Sequence, residues 1–310
     1  MKKLFIAIVS FILLLTACSE QDTKHSDTEE LKAESTIVQL MTKPNIVKIG
    51  GVDELNLALA PYHYTFNDWK NGANEIPRLT FSGFSESWNK LIQKVPVENK
   101  KVSFFRLMLP LILISNENIL RERAVVKAGQ LLSSELISIA IKYRVISNQQ
   151  DKLTVDHQKQ LLERVNIIPP SLALAQAAEE SGWGTSRFTV EGNAFFGQWD
   201  FSGKGMKPKQ QRKELGNYGV ARFDSPLASV EGYMRNINTA SAYQALRDLR
   251  KQQVTHNTAL SGYSLAGALV NYSERGEAYI IGLRHLIEYN KLKALDKAYL
   301  SKNHLIHMEF

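Results

Sequence analysis

Two prolines, Pro169 and Pro170, open a run of small residues (SLALAQAAEE) that closes on Ser181 and Gly182. The prolines pre-set a first helical turn, where a missing N–H costs nothing, and Gly182 supplies a stop. The spacing predicts a short helix over residues 170–181, and the aromatic, glycine-rich residues after it predict a compact loop. Counting about 100° per residue from Leu172, Ala173, Leu174, Ala177 and Ala178 share one side, with Ser181 near its middle. Glu179 falls opposite that side, in solvent, and Glu180 falls at its border. A carboxyl half-covered by apolar neighbours keeps its proton to higher pH, as a general acid working near neutrality requires. The layout suits an enzyme that presents one acid at the rim of a groove lined for sugar rings.

The surrounding chain reads as mainly helical. Phe105, Met108, Leu109, Ile112 and Leu113 fall at spacings of three and four, as a buried helix face requires, with Pro110 expected to kink or start that helix. A second helix is expected over residues 118–143, with Leu132, Leu136, Ile139 and Tyr143 inward. A third runs from Thr154, as N-cap, to Val165. Beyond the motif, residues 218–223 alternate as one strand of a small hairpin. Asp224 or Ser225 caps a helix starting near Pro226, and further helices are expected over residues 240–251, 263–271 and 276–291. Residues 36–95 show neither period and read as extended, wrapping structure. Residues 298–310 read as a tail.

The first residues address location. Lys2 and Lys3 precede a mostly apolar run over residues 4–15, then Thr16, Ala17 and Cys18. This is the pattern of a secretory signal, shorter than the roughly 20 apolar residues of a membrane span. Leu15-Thr16-Ala17-Cys18 resembles the bacterial lipobox, which implies lipidation of Cys18, the only cysteine in the 310 residues. Ser19 in the next position resembles the pattern of lipoproteins sent to the outer membrane. Residues 18–35 are polar and free of aromatics, a flexible tether. The formal charge of +7, or +5 without Lys2 and Lys3, would draw an exported chain towards anionic polymers. Nucleic acid fits poorly, since the signal places the chain outside and no nucleic-acid motif occurs.

Glu180-Ser181-Gly182-Trp183-Gly184-Thr185-Ser186 resembles the active-site signature of bacterial N-acetylglucosaminidases, glycoside hydrolase family seventy-three. A closer similarity is to the Bax-like group. It is carried by Gly192-Asn193-Ala194-x-Phe196-Gly197-Gln198-Trp199, Phe223-Asp224-Ser225-Pro226, Arg235-Asn236-x-Asn238-Thr239 and Tyr272-Ser273-x-Arg275-Gly276. The resemblance covers roughly residues 100 to 295.

This resemblance implies a lysozyme-like helical catalytic domain, over residues 151–297, that hydrolyses β-1,4 bonds after N-acetylglucosamine in peptidoglycan. By position Glu180 is the general acid. Ser181, Trp183, Asn193, Phe196, Gly197 and Trp199 are the substrate-side candidates. Phe196 reads as core, Trp183 and Trp199 as either packing or sugar stacking, and Asn193 as a loop-fixing residue. Tyr272 matches a cleft tyrosine whose hydroxyl would hold the acetamido group or water, or else is structural. A second acid is expected from Glu214, by the family's habit of placing a glutamate in the hairpin. Glu191, Asp200 and Asp224 are nearby in sequence, and the substrate's own acetamido group is the route if none serves. Arg235 and Arg275 read as surface pairs or groove lining.

His157, His256 and His285 have no metal-ligand spacing and no cysteine pair accompanies them, so no metal or cofactor is expected. The expected partners are peptidoglycan glycan strands, and the membrane through Cys18. The competing readings are a lytic transglycosylase with one glutamate and a wall-binding lipoprotein without turnover.

Overall fold

A computed structural model describes residues 44–209, 216, 218–270 and 272–310. The centre is one long helix, α4 (Val97–Ala128), whose residues 102–116 are buried throughout. It is long and apolar enough to cross a membrane, but 89% of its apolar window lies inside the protein, the signature of a core helix. It runs on through Pro110, where the sequence predicted a kink or a start, and absorbs the first part of the helix expected over residues 118–143. Gly129, in the left-handed conformation, ends it. Ser133 then caps α5 (Ser134–Lys142) by accepting from Leu136 N–H. Leu132 therefore sits in the turn between them, 93% exposed rather than inward, while Leu136, Ile139 and Tyr143 are buried. α6 (Val155–Arg164) starts where expected, with Thr154 Oγ1 accepting from His157 N–H.

Against α4 lies α7 (Pro170–Ser181), in which every residue to Ala178 is buried. Its small side chains let α4, α11 (Gly262–Ala266), α12 (Glu277–Tyr289) and the 3-10 turn Leu292–Lys297 close around it. Both ends of its entry are tied. Asn116 of α4 brackets Ile168, donating to its carbonyl at 2.9 Å and accepting from its N–H at 3.1 Å. Asp296 accepts from Ser171 N–H, Ser171 Oγ and Gly262 N–H at 2.8, 2.9 and 3.0 Å. On the far side α9 (Pro226–Thr239) crosses α4, capped by Ser225, not Asp224. α10 (Gln244–Thr255) follows and starts later than predicted.

Residues 45–92, read as extended from sequence, alternate short strands and helices. They are β1 (Asn45–Lys48), α1 (Val52–Leu59), α2 (Phe66–Lys70), β2 (Glu75–Ile76), β3 (Leu79–Phe81) and α3 (Glu86–Ile92). No helical period stood out because each helix spans only one or two turns. The last residues are no loose tail. β6 (Tyr299–Leu300) pairs in parallel with β2, and β7 (Ile306–Glu309) is the central strand of a parallel sheet ordered β1-β7-β3. Phe310 then joins Phe81, Phe84 and Trp88 in an aromatic cluster that reaches Phe195 beyond the motif helix. From Asn45 to Phe310 the chain is one compact unit, mainly α with small β elements, as a lysozyme-like domain should be.

Candidate active site

α7 ends in three successive left-handed residues, Gly182, Trp183 and Gly184, with φ of 57°, 63° and 78°. Glycine suits two of those positions, and Gly184 is also crowded: a Cβ there would lie 2.4 Å from the Phe84 ring. Ser181 holds the turn, donating to Ala177 O at 2.5 Å and accepting from Gly184 N–H at 2.9 Å. The chain then enters α8 (Arg187–Gly192), leaves it through Asn193, and returns along β4 (Trp199–Asp200), which pairs with β5 (Gly219–Val220).

This path opens a cleft of about 490 Å³ lined by Glu180, Phe196, Gly197 and Trp199, with Tyr272, Tyr243, Arg144 and Arg235 among the remaining residues. Glu179 is exposed and pairs with Arg275 at 2.6 Å, while Glu180 is half-buried. Burial raises the Glu180 carboxyl above its ordinary value, and the charge of Glu179 adds to this. The Tyr279 hydroxyl and Arg275 work the other way. Tyr279 donates to Glu180 Oε1 at 2.9 Å and accepts from Gln176 Nε2 at 3.2 Å. Gln176 Oε1 in turn accepts from Tyr233 at 2.6 Å. Three buried side chains thus fix one carboxyl oxygen. The other, Oε2, faces Gly197: a Cβ on that residue would lie 3.4 Å away, and its φ is +60°.

The aromatic walls divide by exposure. Phe196 is buried and stacks on Tyr233 with centroids 4.0 Å apart. Tyr272 donates to Phe196 O at 3.1 Å and stacks on Tyr279 at 5.4 Å, so its hydroxyl is engaged with the loop backbone. Trp199 is 51% exposed, stacked on Tyr218 at 4.8 Å and close to the exposed Phe201. A half-bare indole at a cleft rim is the surface on which a sugar ring stacks.

Three of the candidates do not line this cleft. Ser181 is fully buried in the turn. Trp183 points the other way, edge-on to Phe104 and Phe105, with the Lys101 ammonium 4.9 Å from its ring. Asn193 is a positive-φ helix end whose Nδ2 donates to Phe223 O at 3.1 Å. Among the described residues, Glu180 is the only carboxylate in the lining. Glu191 pairs with Arg187 at 3.1 Å, Asp200 accepts from Ser202, and Asp224 stays outside. Glu214 and Cys18 lie outside the described residues.

Sequence reasoning missed Tyr279, Gln176 and Tyr233. Gln176 had a signal, a lone polar residue one turn before Glu180 in an alanine helix. Tyr279, 99 positions from Glu180, had none.

Comparison with known families matches residues 155–307 to a glucosaminidase model described as mannosyl-glycoprotein endo-beta-N-acetylglucosaminidase. The match contains α7, the turn, the cleft loop and Tyr279. The chain carries a glucosaminidase-family domain. The chain is also similar to "Protein bax" of Escherichia coli (strain K12), 32% identical over 188 residues. The aligned stretch covers 58% of this chain and 66% of that protein, just under two thirds of its length. No solved structure matches. The glucosaminidase domain is of a glycosidase kind; ahead of it in the chain, α4 packs into its core and Arg144, in the turn after α5, lines its cleft.

Proposed function

We propose that this protein hydrolyses the β-1,4 bond after N-acetylglucosamine in peptidoglycan glycan strands, with Glu180 as general acid. We further propose that it works as a lipoprotein anchored through Cys18 on the periplasmic face of the outer membrane. The observation that carries the catalytic reading is the Glu180 carboxyl, half-buried and raised by burial, beside an aromatic-walled cleft. Glu180 Oε2 donates its proton to the bridging oxygen, the C–O bond to the departing sugar breaks, and positive charge gathers on the ring left behind. That charge is met by the acetamido oxygen of the same sugar, which bonds to the anomeric carbon. A water then opens the ring so formed, and Glu180 takes a proton from it. This route asks nothing of a second protein carboxylate, in keeping with the cleft lining among the described residues.

Glu180, the one carboxylate of the lining among the described residues, also favours a second reading, a lytic transglycosylase that closes an anhydro sugar in place of adding water. Mass spectrometry of purified peptidoglycan digested by the protein separates the two: a reducing N-acetylglucosamine end is expected, and an anhydromuramyl end would replace the first reading by the second. Glu180→Gln should abolish lysis in a zymogram. Undiminished lysis by that variant, or none by the unaltered protein, would remove Glu180 from the chemistry.

A further inference from the structure

Two arginines stand in the cleft without carboxylate partners among the described residues. Arg144 is held where it is by strain and anchoring. Its φ is +57°, a conformation that a side chain as long as arginine seldom adopts. The turn is pinned by Arg164, whose Nη1 donates to the carbonyls of Tyr143 and Arg144 at 2.8 and 2.7 Å. Tyr143 itself donates to Glu122 at 2.7 Å. Yet the Arg144 guanidinium is exposed into the cleft and joins no ion pair among the described residues. Arg235 lies one turn after Glu231 on α9, the spacing at which a glutamate and an arginine ordinarily pair. No such pair forms: Glu231 accepts from Asn118 instead, at 3.2 Å, and Arg235 faces the cleft. Arg275, by contrast, is neutralised by Glu179.

Nor do these two cations serve the acid. The charges that act on the Glu180 carboxyl are those of Glu179 and Arg275. A neutral amino-sugar polymer offers a pair of guanidiniums only uncharged hydroxyl and amide acceptors, roughly half as strong as charged ones. A carboxylate would receive parallel N–H donors from each, and arginine's planar fork is suited to that.

We propose that Arg144 and Arg235 are specificity-determining residues that receive a carboxylate carried by the glycan strand, so that the cleft selects an acidic amino-sugar polymer over a neutral one. This rests on reading the cleft as a glycan-cleaving site. The carboxylate is borne either on the sugar ring or on a peptide attached to it, and strands stripped of peptide tell these apart.

The test compares acidic strands with the same strands after their carboxylates have been converted to amides, using the protein, Arg144→Gln, Arg235→Gln and the double variant. Amidation should raise KM for the unaltered protein at least tenfold. The double variant should show a similar rise on acidic strands, with no further rise on amidation. Equal KM for both strand forms in the unaltered protein would overturn the proposal. So would variants that lose the same factor on both forms. If the unaltered protein cleaves neither form, the hydrolase reading fails by itself. Retention on immobilised strands by Glu180→Gln then decides the arginine question: preferential retention by acidic strands supports it, and equal retention overturns it.

Discussion

Glu180 answers two demands at once, and its surroundings give both a sign. Burial raises its carboxyl above the usual 4.5, so the folded protein holds that proton more tightly than the unfolded chain does. Stability contributed by this protonation is fully present below the unfolded-state value and is lost as pH rises through the folded-state value. Activity that needs the protonated acid falls over the same interval. Glu180→Gln should therefore abolish turnover yet raise thermal stability near neutral pH, with the gain disappearing in acid. A melting series across pH checks this, and a loss of stability at neutral pH would contradict it. Tyr279→Phe acts in one direction. Its hydroxyl donates to the ionised carboxylate and lowers that group's pKa, so its removal should move the alkaline limb of the kcat/KM profile to higher pH. A limb that moved downward would mean that Tyr279 does not donate its hydrogen bond to the ionised Glu180.

At the scale of elements, what matters is how α7 is gripped. Its start and stop were legible because prolines and Gly182 fix the backbone locally, and the 100° count placed Glu179 and Glu180 on opposite sides of an exposure boundary. Its clamps were not legible. Asp296, whose carboxyl is raised by burial, reaches Ser171 and Gly262 from 125 and 34 positions away. Asp296→Ala leaves two backbone donors without their acceptor and should destabilise by about 1–3 kcal/mol. Denaturant unfolding measures this, and an unchanged midpoint would show that water replaces the carboxylate. α4 begins at Val97 rather than at Pro110, for a related reason. Pro110 breaks a helix that stands alone, but here the helix is clasped on all sides and the lost backbone bond is outweighed. Ser181 faces the core as the last residue of α7's buried side, and Trp183 and Asn193 share the motif yet face elsewhere, each in a left-handed conformation that redirects the chain. Proximity in sequence told little about direction.

Across the whole molecule, the site depends on segments remote from it. Residues 45–92 back the motif turn: Phe84 lies against Gly184, and Phe81 and Phe84 meet Phe195. The sequence hid this because strands of two to four residues carry no period, and their partners stand far along the chain. Met308, fully buried on the central strand, tests the link. Met308→Ala should cost about 2–5 kcal/mol, read by denaturant unfolding. A loss well under that range would mean that the parallel sheet is an ornament on the helical domain. The strand arrangement also sets an order of events. Thr80 and His307 meet at 2.9 Å although 227 positions separate them. A ribosome, or any narrow passage threaded from the first residue onward, delivers β1 and β3 more than two hundred positions, 227 between Thr80 and His307, before the middle strand arrives. Until then β1 and β3 have nothing between them, and the nascent chain must wait unfinished.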